Sequence, residues 1–162
     1  MATHKIVPQG LIKGVFTTRL GAGIGSSNNL SPVDAGKIVK LSAESCYDLA
    51  VVGNEIEGFI SSVELATSGG YSIGGVTKQA GDAALVYAVA DGLQATPGTG
   101  VVVIGDYVVA GTITAKGTAL APYPKVCKAT AAGNTLNHKW RVVSLGTAGT
   151  GAVGTTIVIE KV

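Results

Sequence analysis

Short runs of apolar and β-branched residues recur along the chain, most of them alternating with polar positions. They are KIVKL (37–41), EIEGFISSVEL (55–65), ALVYAVA (84–90), DYVVAGTIT (106–114), KWRVVSL (139–145) and TTIVIEKV (155–162). Gly, Asn, Asp or Pro separates them, and turn signals return about every eight to twelve residues, the rhythm of a sandwich or barrel. The pattern predicts an all-β protein: a compact β-barrel or β-sandwich with at most one or two short helices. Two stretches carry both periods. SPVDAGKIVKL opens on Ser31 and Pro32 like a helix, then continues into Gly36 and β-branched residues. AGDAALVYAVADGL holds Leu85, Val86 and Val89 at helical spacing, while Leu85, Tyr87 and Val89 alternate as in a strand.

The first thirty residues differ. Pro8, Gly10 and Gly14 interrupt a segment whose apolar positions are Ile6, Val7, Leu11, Ile12, Val15 and Phe16, and GAGIGSSNN then reads as a loop. Such a segment pairs well as an extended strand. It is either the first strand of its own sheet or an arm that adds to a neighbouring subunit's sheet edge. The functional reading is an extended N-terminal arm over residues 1–20, ahead of a single β-rich domain over 21–162, since no stretch reads as a linker. Its apolar anchors would be Ile6, Val7, Leu11, Ile12 and Phe16.

Composition sharpens this picture. The chain has 162 residues, enough to bury a core without staples. Only 14% are charged, against roughly 25% in an ordinary soluble domain. Such a chain either covers surface against a partner or presents Thr, Ser, Gly and Ala to water. Both readings favour an assembly component over a freely diffusing enzyme. The net charge is +2 and the cations are dispersed, so no nucleic-acid footprint is expected. Lys139 and Arg141 flank Trp140, and alternation puts both cations on one face and the indole on the other. The longest apolar stretches, VVVI (101–104) and DLAVV (48–52), are far too short to span a bilayer. No leader pattern opens the chain, so neither a membrane nor export is expected. Cys46 and Cys127 lack a CxxC partner and are expected as free, partly buried thiols. His4 and His138 stand alone, so no metal and no cofactor is expected.

Three motifs invite catalysis and fail on their context. GYSIG (70–74) fits Gly-x-Ser-x-Gly, with Asp106 and His138 following in hydrolase order. A nucleophile elbow needs a helix after the serine, and GVTKQAGD is a poor helix start. Asp106 sits in VIGDYVV, where Gly-Asp reads as a turn between apolar runs. Ser72 is therefore assigned to a strand flanked by turns. GTGAVG (149–154) matches the dinucleotide fingerprint, yet only eight residues follow it, and the segment reads as a hairpin loop. Glu55 and Glu57 fall on one face of an alternating strand, an arrangement that suits solvent better than acid–base work. No catalytic residue is expected, and the chain is read as a non-enzyme.

Four segments together resemble the decoration, or cement, proteins of tailed-bacteriophage heads. They are HKIVPQGLIKGVFTTRL, DAGKIVKLSAESCYDLAVVGNEIEGFISSVE, GDYVVAGTITAKGTALAPYPKV and KWRVVSLGTAGTGAVGTTIVIEKV. The resemblance covers most of the chain and rests on a β-rich pattern of Gly-Asp turns. It implies a structural virion protein, assembled in the host cytoplasm, on the outer surface of the expanded capsid. There it would bind the major capsid protein where capsomers meet, commonly as a homotrimer, and stabilise the head against DNA pressure. Alternatives within the same class are a tail or baseplate β protein and a host-surface glycan-binding virion protein.

Overall fold

The computed structural model describes residues 15–20, 36–43, 46–66, 72–77, 85–112 and 123–162. Among these residues the regular structure is strand, apart from one 3-10 turn at Gly133–Thr135. The all-β expectation holds. The strands gather into two compact units.

The first unit contains β1 (Val15–Leu20), β2 (Ile38–Ala43), β3 (Cys46–Leu49), β4 (Gly58–Ala66) and β5 (Ser72–Thr77). β5 pairs antiparallel with both β4 and β1, and the order β1-β3-β2-β4-β5 closes on itself as a small barrel. The β1–β3 pair is the parallel one, with Arg19 opposite Cys46. Ile38, Val39, Cys46, Tyr47, Phe59 and Ile60 are buried. The ring closes through two short contacts, β1–β3 and β2–β4, of two residue pairs each.

The second unit is built from the segment Ala50–Ile56 and the six strands that lie beyond Gly81. These are β6 (Leu85–Leu93), β7 (Thr96–Pro97), β8 (Val108–Ala110), β9 (Lys125–Lys128), β10 (Trp140–Ser144) and β11 (Thr156–Lys161). The sheet order is β10-β11-β6-β9-β8, with β7 folded back on β6. β10 and β11 form the hairpin expected around GTGAVG. β6 settles the ambiguity of AGDAALVYAVADGL: it is a strand, and Ala88 to Gly92 are buried because neighbours cover both faces. Within SPVDAGKIVKL, Ile38–Ala43 is likewise strand, while residues 31–35 lie outside the described residues.

Both outer strands of this sheet are tied down. Gly105 N donates to Val142 O at 2.8 Å, Val142 N donates to Asp106 O at 2.9 Å, and Tyr107 bridges Arg141, so β10 is laced to the chain entering β8. At the other end of β8, Gly53 N donates to Ala110 O and Ala110 N donates to Asn54 O, each at 2.9 Å. The segment 50–56 therefore serves the second unit as edge cover. It offers no linker signature because it is woven into a sheet.

The core of the second unit includes Ile56, Val102, Val108, Val109, Val126, Trp140, Val142, Ile157 and Ile159. Trp140 is fully buried and its Nε1 donates to Ile56 O at 3.1 Å, which satisfies the indole's one polar group. Arg141 faces outward and grips Glu160, its register partner on β11, through Nε at 2.8 Å and Nη2 at 2.6 Å.

One expectation is corrected. EIEGFISSVEL is strand only from Gly58 onward, so Glu55 does not belong to an alternating strand. Its carboxylate instead accepts from the backbone N–H groups of Asn137 and His138, at 2.9 Å for the latter. Glu55 spans a loop of its own unit, and strand alternation says nothing about it.

Candidate functional site

Asp91 and Cys127 are engaged in holding the second unit together. Asp91 on β6 is buried; its Oδ2 accepts from Thr112 N at 2.7 Å and its Oδ1 lies 3.8 Å from Lys125 Nζ. Cys127 Sγ sits 3.5 Å from the Asp91 carbonyl oxygen and 3.8 Å from its carboxylate. Burial first, then the Asp91 charge, pushes the Cys127 thiol up to about 12. A thiol held protonated is a weak donor and no nucleophile. Cys46 and Cys127 are both free and buried.

The sequence-selected residues do not converge. Ser72 opens β5, opposite Leu20 of β1 and Ala66 of β4, and a strand follows it where a nucleophile elbow would need a helix. Asp106 is part of a turn described below. His138 enters the network through its backbone N–H. Of the five arm residues, Phe16 lies on β1, in register with Val76 of β5. Ile6, Val7, Leu11 and Ile12 lie outside the described residues. Among the described residues no three His, Cys, Asp or Glu side chains gather as metal ligands.

The second unit does present two matched turns, VVGN (51–54) and VIGD (103–106). In each, the fourth residue's N–H donates to the first residue's carbonyl, at 3.0 Å in 51–54 and 3.1 Å in 103–106. The fourth side chain then accepts the first residue's N–H: Asn54 Oδ1 from Val51 and Asp106 Oδ2 from Val103, each at 2.9 Å. The third position has positive φ, +86° at Gly53 and +91° at Gly105, which a side chain would strain. With both ends bonded, the first two residues are held out as aliphatic knuckles. Val51, Val52, Val103 and Ile104 are all exposed.

The knuckle at 103–106 belongs to a larger apolar tip. Val102 N donates to Gly151 O at 3.0 Å, and Val101 bridges Ala152, one residue before Val153. Val102 is 1% exposed, whereas Val101, Val103 and Ile104 are 55, 50 and 62% exposed, and Val153 is exposed as well. The two loops are fastened closely: a Cβ added at Gly151 would collide with the Val102 carbonyl oxygen. Asp106 Oδ1 takes Lys128 Nζ at 2.8 Å, bracing the base of the turn.

A second exposed feature lies along the sheet. Tyr87 and Tyr123 stack with ring centroids 5.5 Å apart and planes tilted by 33°. Both are exposed.

Sequence reasoning caught the Gly-Asp turn but missed its twin and the tip. The repeated pattern of two aliphatics, Gly and Asx was the available signal. What it lacks is any mark of which aliphatics face water. Comparisons with models of protein families, with curated proteins and with solved structures found no match for this chain.

Proposed function

We propose that this chain is a structural virion protein that docks on the outer surface of an expanded phage head and stabilises it. The observation that carries the reading is a pair of β-structured units that expose ten large hydrophobic side chains among the described residues. Its buried carboxylate and its buried thiol at Cys127 are committed to structure. Where these side chains gather, as Val101, Val103, Ile104 and Val153 do at the tip, the surface is suited to contact, since exposed apolar patches mark interaction sites. The choice of a phage head as the partner comes from the resemblance of the four sequence segments.

The mechanism has a thermodynamic form. A protein that binds only the expanded shell stabilises it by about 2.7 kcal/mol per site at a hundredfold excess over Kd. Equal binding to both shell states would shift nothing, so the sites must exist only where expansion has brought capsid subunits together. Residues 1–20 are proposed for part of this contact, through Ile6, Val7, Leu11, Ile12 and Phe16. The tied outer strands of the second unit favour docking there through side chains over strand addition. Co-sedimentation with expanded, undecorated heads tests the proposal; binding to expanded heads and not to unexpanded ones is the expected outcome.

The exposed Tyr87–Tyr123 pair favours one second reading, a virion protein that binds host-surface glycans. Sugar rings stack on aromatic faces, so a glycan-array signal that Tyr87→Ala removes would favour it.

A further inference from the structure

We propose that residues 50–56 act as a latch: their seating in the second unit holds the ring of the first unit closed, and their release opens it. The chain leaves the first unit after Leu49, runs through the second as Ala50–Ile56, and re-enters the first at Glu57. Within the second unit this segment is bonded along its length. Gly53 N donates to Ala110 O and Ala110 N donates to Asn54 O, each at 2.9 Å. The Glu55 carboxylate accepts from Asn137 N and His138 N, and Ile56 O accepts from Trp140 Nε1 at 3.1 Å. Both ends are buried, Ala50 at 2% and Ile56 at 0% exposure.

The first unit is weakest next to those ends. Its β4–β5 and β1–β5 ladders run over six residue pairs each, whereas the two contacts that complete the ring hold two pairs each. One is β1–β3, with Arg19 opposite Cys46 and Leu20 opposite Tyr47; the other is β2–β4, with Ile38 opposite Phe59 and Val39 opposite Gly58. β3 is the strand that runs into residues 50–56, and β4 is the strand that follows them. Ladders this short are marginal alone. While the segment is seated, the end of β3 and the start of β4 are joined by an ordered connection. Once it is loose, closing the ring also has to order a flexible loop, and that entropy falls on its two shortest contacts. A ring opened there bares strand edges, the surface that strand addition needs.

The chain's two cysteines report on one unit each. Cys46 lies on the β1–β3 contact, Cys127 lies in the core of the second unit, and both are buried. The test is the rate of thiol labelling in the folded full chain, resolved for each cysteine by mass spectrometry. Three proteins would be compared. They are the wild type, Glu55→Ala, which loosens the segment, and Gly151→Ala, which crowds the second unit at Val102 instead. Glu55→Ala should label Cys46 on the order of tenfold faster, the scale of one lost hydrogen bond to a charged group. Gly151→Ala should leave Cys46 at the wild-type rate. Unchanged Cys46 labelling in Glu55→Ala overturns the proposal, and so does equal acceleration in Gly151→Ala, which would mark general loosening. If Glu55→Ala does not fold, Glu55→Gln is read by the same criteria. The proposal is independent of the shell reading, since every outcome is read on the purified chain without phage heads.

Discussion

The turns at 51–54 and 103–106 are built by one device and sit at opposite ends of β8. Each spends an Asx side chain on closing a four-residue loop, and each pushes two aliphatics outward. They differ in what surrounds them. Asn54 is neutral and its backbone covers the edge of β8, so the first turn closes a sheet. Asp106 is charged, is neutralised by Lys128, and supports a loop that is locked to the 151–154 turn. Identical local chemistry thus yields an edge cover in one place and a projecting apolar tip in the other. The neighbourhood sets the use.

The largest expected effect is one the two turns share. Cys127 lies opposite Val109 across the β8–β9 ladder, between the turns. Its folded pKa is raised, so the stability it contributes is complete below about 9, its ordinary value, and is lost as pH rises towards about 12. The linkage slope is on the order of 1 kcal/mol per pH unit in that window. Urea midpoints at pH 8, 9 and 10 should therefore fall more steeply for the wild type than for Cys127→Ala; parallel slopes would contradict the buried-thiol account.

Next comes a change that acts on the tip alone. Gly151→Ala places a methyl against the Val102 carbonyl, and overpacking of this kind costs about 1–3 kcal/mol. Hydrogen exchange should rise at Val102 and leave Asn54 unchanged. The smallest effect separates the turns by charge. Asp106→Ala and Asn54→Ala each remove one turn hydrogen bond, worth about 1 kcal/mol. Asp106→Ala also loses its pair with Lys128, which salt screens. The gap between the two variants should shrink in high salt, and a gap that grows would assign the difference to something other than charge.

Much of the fold was legible because period-two alternation and Gly/Asx punctuation are local signals. The β10–β11 hairpin, the Gly-Asp turn and the burial of Trp140 all follow from such signals. Glu55 was misread because its partners, Asn137 and His138, lie more than eighty residues away. The placement of Ala50–Ile56 in the second unit was hidden for the same reason: Gly53 and Asn54 bond to Ala110. The tip shows the limit most clearly. VVVI reads as uniformly apolar, yet Val102 is buried while its neighbours face out, because Gly151 receives the Val102 N–H from a loop fifty residues on.

Thermal disassembly of expanded, undecorated heads, followed by light scattering while the full chain is titrated in, tests the account most directly. The account predicts that the disassembly temperature climbs with the logarithm of free chain concentration, and that unexpanded heads show no such climb. Expanded heads that come apart at one fixed temperature, however much chain is present, would contradict it.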